Sequence, residues 1–190
     1  MFPPDGDDPL WRVFPRFWVP ELTAERRSRD ERVSYDEWIK AKAMEVTPGD
    51  FVDQNYLAAG IRDGLDMFDV KGIGFDPWNA RKLVSDLERD GVDIELFTEM
   101  RQGIQTLGEP SKAFERLVYE GVFDHGGQPV LRWMAGNAVV RFDENLNFAP
   151  AKKKSGEKID GIVSCVMAVG LAGMGEDASM IYTADDYKVI

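Results

Sequence analysis

At 190 residues, with 44% hydrophobic and 11% aromatic content, the chain can fill one domain core, which sets aside disorder and open solenoids. Lysine and arginine number 23 against 34 acids, and the net charge of −11 excludes a broad basic face that coats duplex, leaving only local or metal-mediated nucleic-acid contacts. The apolar run Gly161 to Met174 is shorter than the roughly 20 residues of a membrane span, the acidic start (Asp5, Asp7, Asp8) is unlike a secretory signal, and the single Cys165 fits a reducing cytoplasm.

Pro3 to Pro9 spells a hairpin turn ahead of a strand-like Trp11 to Val19. Only Met1 and Phe2 precede it, so the pattern predicts a domain lacking its opening strand. Charged residues from Glu21 to Arg32 read as a solvated connector. Ser34 with Glu37 makes a capping box before Tyr35, Trp38, Ile39 and Ala43 at helical spacing. Thr47 to Asp50 is a break, after which Leu57, Ile61, Leu65 and Phe68 mark an amphipathic helix.

Val70 to Asp76 follows as a strand, Asn79 to Arg89 as a helix, and Val92 to Phe97 as another strand. This alternation predicts an α/β fold with a partly parallel sheet. Pro110 is expected to open a helix carrying Phe114, Leu117 and Val118 that Gly121 closes. Val122 to His125 reads as a strand, Pro129 starts a helix with Val130, Leu131, Trp133 and Met134, and Ala138 to Phe148 forms a β-ribbon. The last helix is expected over Gly156 to Met174, with 175–190 a polar tail. No repeat or linker divides the chain, so residues 1–174 read as one domain.

Asp76 ends a strand and Pro77 keeps it extended, at the edge where open α/β sheets bind ligands. It suits either a metal ligand or a helix cap. Asp160 shares a helical face with Val163, Ser164 and Met167, so its carboxylate is expected near the core with a cation or donors beside it. The alternative is a first-turn acid favouring the helix dipole. Two such acids suit Mg²⁺ or Mn²⁺, and paired cations about 3.5–4 Å apart support phosphodiester cleavage.

The blocks Gly74-Phe75-Asp76-Pro77-Trp78-Asn79-Ala80, Met100-Arg101-Gln102-Gly103, His125 to Trp133 with Asn137, and Glu157 to Val163 resemble the C-terminal nuclease domain of tailed-phage terminase large subunits. That resemblance spans Trp11 to about Gly173. It implies an RNase H-like mixed sheet flanked by helices, and a metal-dependent endonuclease that cuts concatemeric double-stranded DNA in the host cytoplasm during genome packaging. It also implies partners in an ATPase motor half, a small terminase subunit and a portal. Asp76 and Asp160 correspond to two of the family's metal ligands, while the third carboxylate belongs to a strand upstream of Pro3. No phosphate loop of the G-x-x-x-x-G-K-[ST] type occurs, so this chain has no ATP site of its own.

Glu157 and Lys158 are auxiliary candidates beside Asp160, and Lys152, Lys153 and Lys154 are candidate phosphate contacts, each weighed against capping or solvation. His125 reads as an ordinary hydrogen-bonding residue rather than a base, Cys165 as a small buried hydrophobe, and the five tryptophans as packing. A catalytically inactive prophage remnant or DNA-contacting packaging module is the alternative reading, and a junction resolvase a weaker one.

Overall fold

The computed structural model describes residues 1–30 and 33–175. The polar tail expected over 175–190 lies outside these residues except for Gly175, which closes the last helix. The strand expected from Trp11 to Val19 is two: β1 (Trp11–Arg12) and β2 (Trp18–Pro20). Pro15 between them has no amide to donate, which stops a continuous ladder. The opening turn is not armless, because Phe2 and Arg12 exchange backbone hydrogen bonds of 2.8 and 3.0 Å.

The expected connector is instead α1 (Glu21–Asp30). Its low apolar content hid it, yet no Gly or Pro interrupts it, Glu21 lies in its first turn and Arg27 and Arg29 in its last, as the helix dipole favours. Ser34 is the N-cap of α2 (Tyr35–Lys40), but its side chain makes no capping bond. The capping box is therefore absent, and the amide of Asp36 donates to the Ser28 hydroxyl instead, at 3.1 Å. Glu45–Thr47, hidden beside the expected break, is β3 and runs parallel to β2. The break follows it, with Gly49 at φ +83.

From α3 (Gln54–Met67) onward the predicted alternation holds. The strand expected over Val70 to Asp76 contracts to β4 (Ile73–Phe75), and α4 (Pro77–Arg89) begins two residues early at its proline. Asp93 accepts from the Glu95 amide at 2.9 Å and starts a single tight turn at Ile94–Leu96. That turn pushes β5 on to Phe97–Glu99, parallel to β4.

The next helix, α5 (Ile104–Tyr119), starts six residues before Pro110 and carries that proline internally. The ring fits because it faces Gly170, where an added Cβ would stand 2.6 Å from Pro110 Cγ. β6 (Phe123–Asp124) pairs in parallel with β1, and α6 (Pro129–Asn137) follows as expected. β7 (Val140–Phe142) and β8 (Phe148–Pro150) form the predicted antiparallel ribbon. α7 (Asp160–Gly175) begins four residues later than expected, because 151–159 form turns.

α7 is apolar nearly all round, which predicts enclosure. One side carries Ile162 and Cys165 into a cluster with Val19, Trp38, Val130 and Leu131. The other carries Val163, Val166 and Met167 into a cluster with Met100, Leu107 and Ala149. A smaller cluster of Ala58, Leu83 and Leu87 packs α3 on α4. Among the described residues no helix is long and apolar enough to cross a membrane.

Candidate functional site

Asp76 follows β4 directly and is the N-cap of α4, with extended backbone angles of φ −80 and ψ 114. Its Oδ1 accepts from the Trp78 amide at 3.2 Å and its Oδ2 from Asn79 Nδ2 at 3.4 Å. The cap and the candidate ligand are thus the same side chain. Both bonds are long, and a carboxylate offers about four lone-pair sites, so capping leaves oxygen available to a cation.

Asp160 is the first residue of α7, and its place corrects the expectation that it is drawn toward the core. Its side chain is 57% exposed and its Oδ1 lies 2.6 Å from Lys152 Nζ. Val163 and Met167 on the same face are buried, but Ser164 is exposed. Neighbours enclose α7 only from Gly161 onward. Asp160 stands at the solvent end, where the helix dipole and an ammonium offset its charge.

Asp160 adjoins one apolar cluster, and the strand before Asp76 is hydrogen-bonded to a member of it. The Met100 amide donates to the Phe75 carbonyl at 2.8 Å, and Met100 is buried in the cluster that holds Ile159 and Val163. Asp160 follows Ile159 of that cluster at the start of α7, whereas Gly74 of β4, the strand that precedes Asp76, and Gly72 just before it lie against Leu171, toward the other end of the helix. The hydrogen-bond and ion-pair partners of the two acids are separate. Among the described residues no three His, Cys, Asp or Glu side chains gather to hold a metal.

Glu157 is paired with Arg27 of α1, which is only 7% exposed and lies 5.5 Å over the Tyr35 ring. That pairing makes Glu157 a tether between α1 and the start of α7. A cavity of about 600 Å³ opens there, lined by Arg26, Arg27, Lys152, Glu157, Lys158 and Asp160. Lys152, Lys153 and Lys154 also line a neighbouring hollow of about 330 Å³ with Arg141. The three lysines and Lys158 are exposed, and of the run it is Lys152 that pairs with Asp160.

His125 does not meet its expectation as an ordinary hydrogen-bonding residue at Nδ1, which is buried without a partner among the described residues. Asp124 accepts instead from the Gly126 amide, at 2.8 Å. Cys165 is 4% exposed, and burial pushes its thiol up to about 12, so no thiolate nucleophile forms near neutral pH. Trp38 and Trp133 pack ring to ring at 5.2 Å. Trp78, expected to pack, is 87% exposed. Arg27 was invisible in the sequence because a charged run gives no sign of which cation turns inward.

The donor chemistry fits a hard divalent cation. Asp76 and Asp160 offer oxygen only, and Mg²⁺ commonly takes one or two carboxylates while retaining water.

A family model described as terminase large subunit, endonuclease domain, matches residues 14–176. The terminase large subunit of Enterobacteria phage HK97 is 35% identical over 183 residues, covering 96% of this chain and 36% of that protein. Protein YmfN of Escherichia coli (strain K12) is 30% identical over 188 residues, covering 96% of this chain and 39% of that one. The crystal structure of the HK97 bacteriophage large terminase superposes with a TM-score of 0.80 over 87% of this chain and 34% of that chain, at 35% identity. The chain therefore spans between 34% and 39% of the length of these relatives.

Proposed function

The chain belongs to the family of terminase large subunit endonuclease domains, whose fold is RNase H-like, and from that membership we propose that residues 1–174 act as one metal-dependent DNA-cutting domain. What supports the reading is the family match together with carboxylates at two motif positions, Asp76 just after β4 and Asp160 at the start of α7.

Asp76 and Asp160 would hold Mg²⁺ or Mn²⁺, which when bound supplies charge neutralisation and water activation for phosphodiester hydrolysis. The Trp78 amide and Asn79 orient the Asp76 carboxylate. Lys152 pairs with Asp160 and must yield to an arriving cation. Lys153, Lys154 and Lys158 reach the DNA backbone, where they position the duplex without reading sequence. Another segment of a large subunit supplies the third carboxylate that the family pattern calls for. The substrate is concatemeric viral DNA, and the partners are an ATPase motor half, a small terminase subunit and a portal.

The test is calorimetric titration of the full chain with Mn²⁺, alongside Asp76→Asn and Asp160→Asn. A saturable isotherm lost in both variants supports the site; equal heats in all three remove it.

A second reading, a module that contacts DNA without cutting it, is favoured by the 2.6 Å Lys152–Asp160 pair, which occupies one of the two carboxylates. Plasmid nicking with Mn²⁺ separates the two readings. Nicking abolished by Asp76→Ala supports the nuclease, and DNA binding without nicking supports the module.

A further inference from the structure

An indole carries about 200 Å² of surface that folding usually hides. Trp78 leaves 87% of its surface exposed and has no ring partner among the described residues. The exposure does not come from a loose segment. Trp78 is the second residue of α4, Pro77 fixes the backbone before it, and its amide donates to the Asp76 carboxylate at 3.2 Å. The fold therefore holds a large flat apolar face in water, two residues from a candidate metal ligand.

A cation lies at the same edge. β4 and β5 run parallel with Phe75 opposite Glu99, and the Met100 amide donates to the Phe75 carbonyl. Arg101 thus leaves β5 where Pro77 and Trp78 leave β4. It is exposed, and among the described residues no acid pairs with it. Arg81, one turn beyond Trp78 on α4, is by contrast held by Glu99 at 3.2 Å. An exposed guanidinium at the same strand edge as an uncovered aromatic face, in a chain of net charge −11, matches a ligand that joins flat rings to phosphates.

We propose that Trp78 and Arg101 grip the DNA strand at Asp76, the indole against a base and its sugar and the guanidinium on an adjoining phosphate. Trp78 enters the groove as an apolar wedge, in the way minor-groove binders partly unstack a base step. The grip sets where along the strand the phosphate meets the carboxylate. This inference rests on the nuclease reading above, and it assigns Trp78 a positioning role rather than a part in bond breaking.

The test uses the full chain and a fluorescein-labelled duplex with Ca²⁺ in place of Mn²⁺, so that binding is read without cleavage. Trp78→Ala is expected to weaken binding about tenfold, within the range of a lost base–aromatic stack, with an unchanged melting temperature because the ring packs against nothing. Trp78→Phe keeps most of the affinity, and Arg101→Gln weakens binding and flattens its salt dependence. Emission of the parental chain minus that of Trp78→Phe is quenched when DNA is added. Unaltered affinity in Trp78→Ala, an unquenched difference spectrum, or no saturable duplex binding by the parental chain would each overturn the grip. Asp76→Ala loses Mn²⁺-dependent nicking. If it nicks at the full rate, the nuclease reading fails while the binding result for Trp78 stands apart from it.

Discussion

Gln128 performs a capping task usually given to Ser, Thr, Asp or Asn. Its Oε1 accepts from the amides of Val130 and Leu131 at 2.6 and 3.1 Å, and its Nε2 donates to the Ala43 carbonyl at 2.7 Å. One side chain thus caps α6 and ties it to the loop before β3. Gln128→Ala removes all three bonds and is expected to cost about 1–2 kcal/mol, read from the urea midpoint. Cys165 gives a second prediction at this scale. With its thiol pushed up to about 12, it should resist a disulfide reagent at pH 8 in the folded chain and react at once in denaturant. Residues that act through local backbone geometry were legible in the sequence: the capping alternative for Asp76 before Pro77 is the one seen, and Cys165 in an apolar run is buried. Residues placed by distant elements were not. Arg27 turns inward to Glu157, 130 positions away, and Asp160 turns outward because nothing covers the first residue of α7.

Pro110 and Gly170 form one feature shared by two helices. A Cβ at position 170 would meet Pro110 Cγ at 2.6 Å, Pro110 Cβ at 3.0 Å and Met100 Cε at 3.2 Å. The proline ring cannot swing away as a long side chain would. Gly170→Ala therefore sets a helix-propensity gain of up to about 1 kcal/mol against overpacking of about 1–3 kcal/mol. The melting temperature should fall, and an unchanged or higher one would show that α5 shifts freely. The same pair explains a failure of sequence reading: proline signals a helix start unless a glycine on another helix makes room for its ring. The β-ribbon was legible, because its turn chemistry is local. Asp143 accepts from the amides of Asn145 and Asn147, each at 2.9 Å, and from Asn147 Nδ2 at 3.1 Å. The Asn147 side chain leads these contacts in holding the Asp143 carboxyl below its ordinary 3.8, with the backbone amides and Lys112 adding to it. A carboxyl lowered in the folded state stabilises fully above 3.8 and loses that contribution as pH falls through its folded value. The gap in urea midpoint between the parental chain and Asp143→Ala should accordingly be widest near neutrality and close in acid. A gap independent of pH would mean that the ionised form contributes nothing to the turn.

Across the whole molecule, the alternation of helices and strands gave the α/β class, since hydrophobic period is a local property. Strand ends and pairings depended on partners far along the chain: β1 meets β6 across more than a hundred residues, and β2 meets β3 past a helix that the sequence hid. Charge also acts at this scale. A net charge of −11 opposes a polyanion at long range, so any DNA affinity must come from short-range contacts and a cation. Under the proposed function, the exposed lysines 152–154 are the candidates for those contacts. Lys152 is engaged by Asp160, so on that proposal Lys153 and Lys154 are the ones expected to meet phosphate. Each phosphate contact adds about 0.9 to the slope of log affinity against log salt. Replacing Lys153 and Lys154 together by Ala should flatten that slope by about 2 and weaken binding to the same degree for every duplex sequence. Anisotropy titrations between 50 and 200 mM salt, roughly the span over which counterion release is measured, read both effects. A parental slope near zero would place DNA binding on the cation and on Trp78 alone, and a slope unchanged by the double substitution would move the phosphate contacts to other cations, Arg26, Lys158 or Arg101.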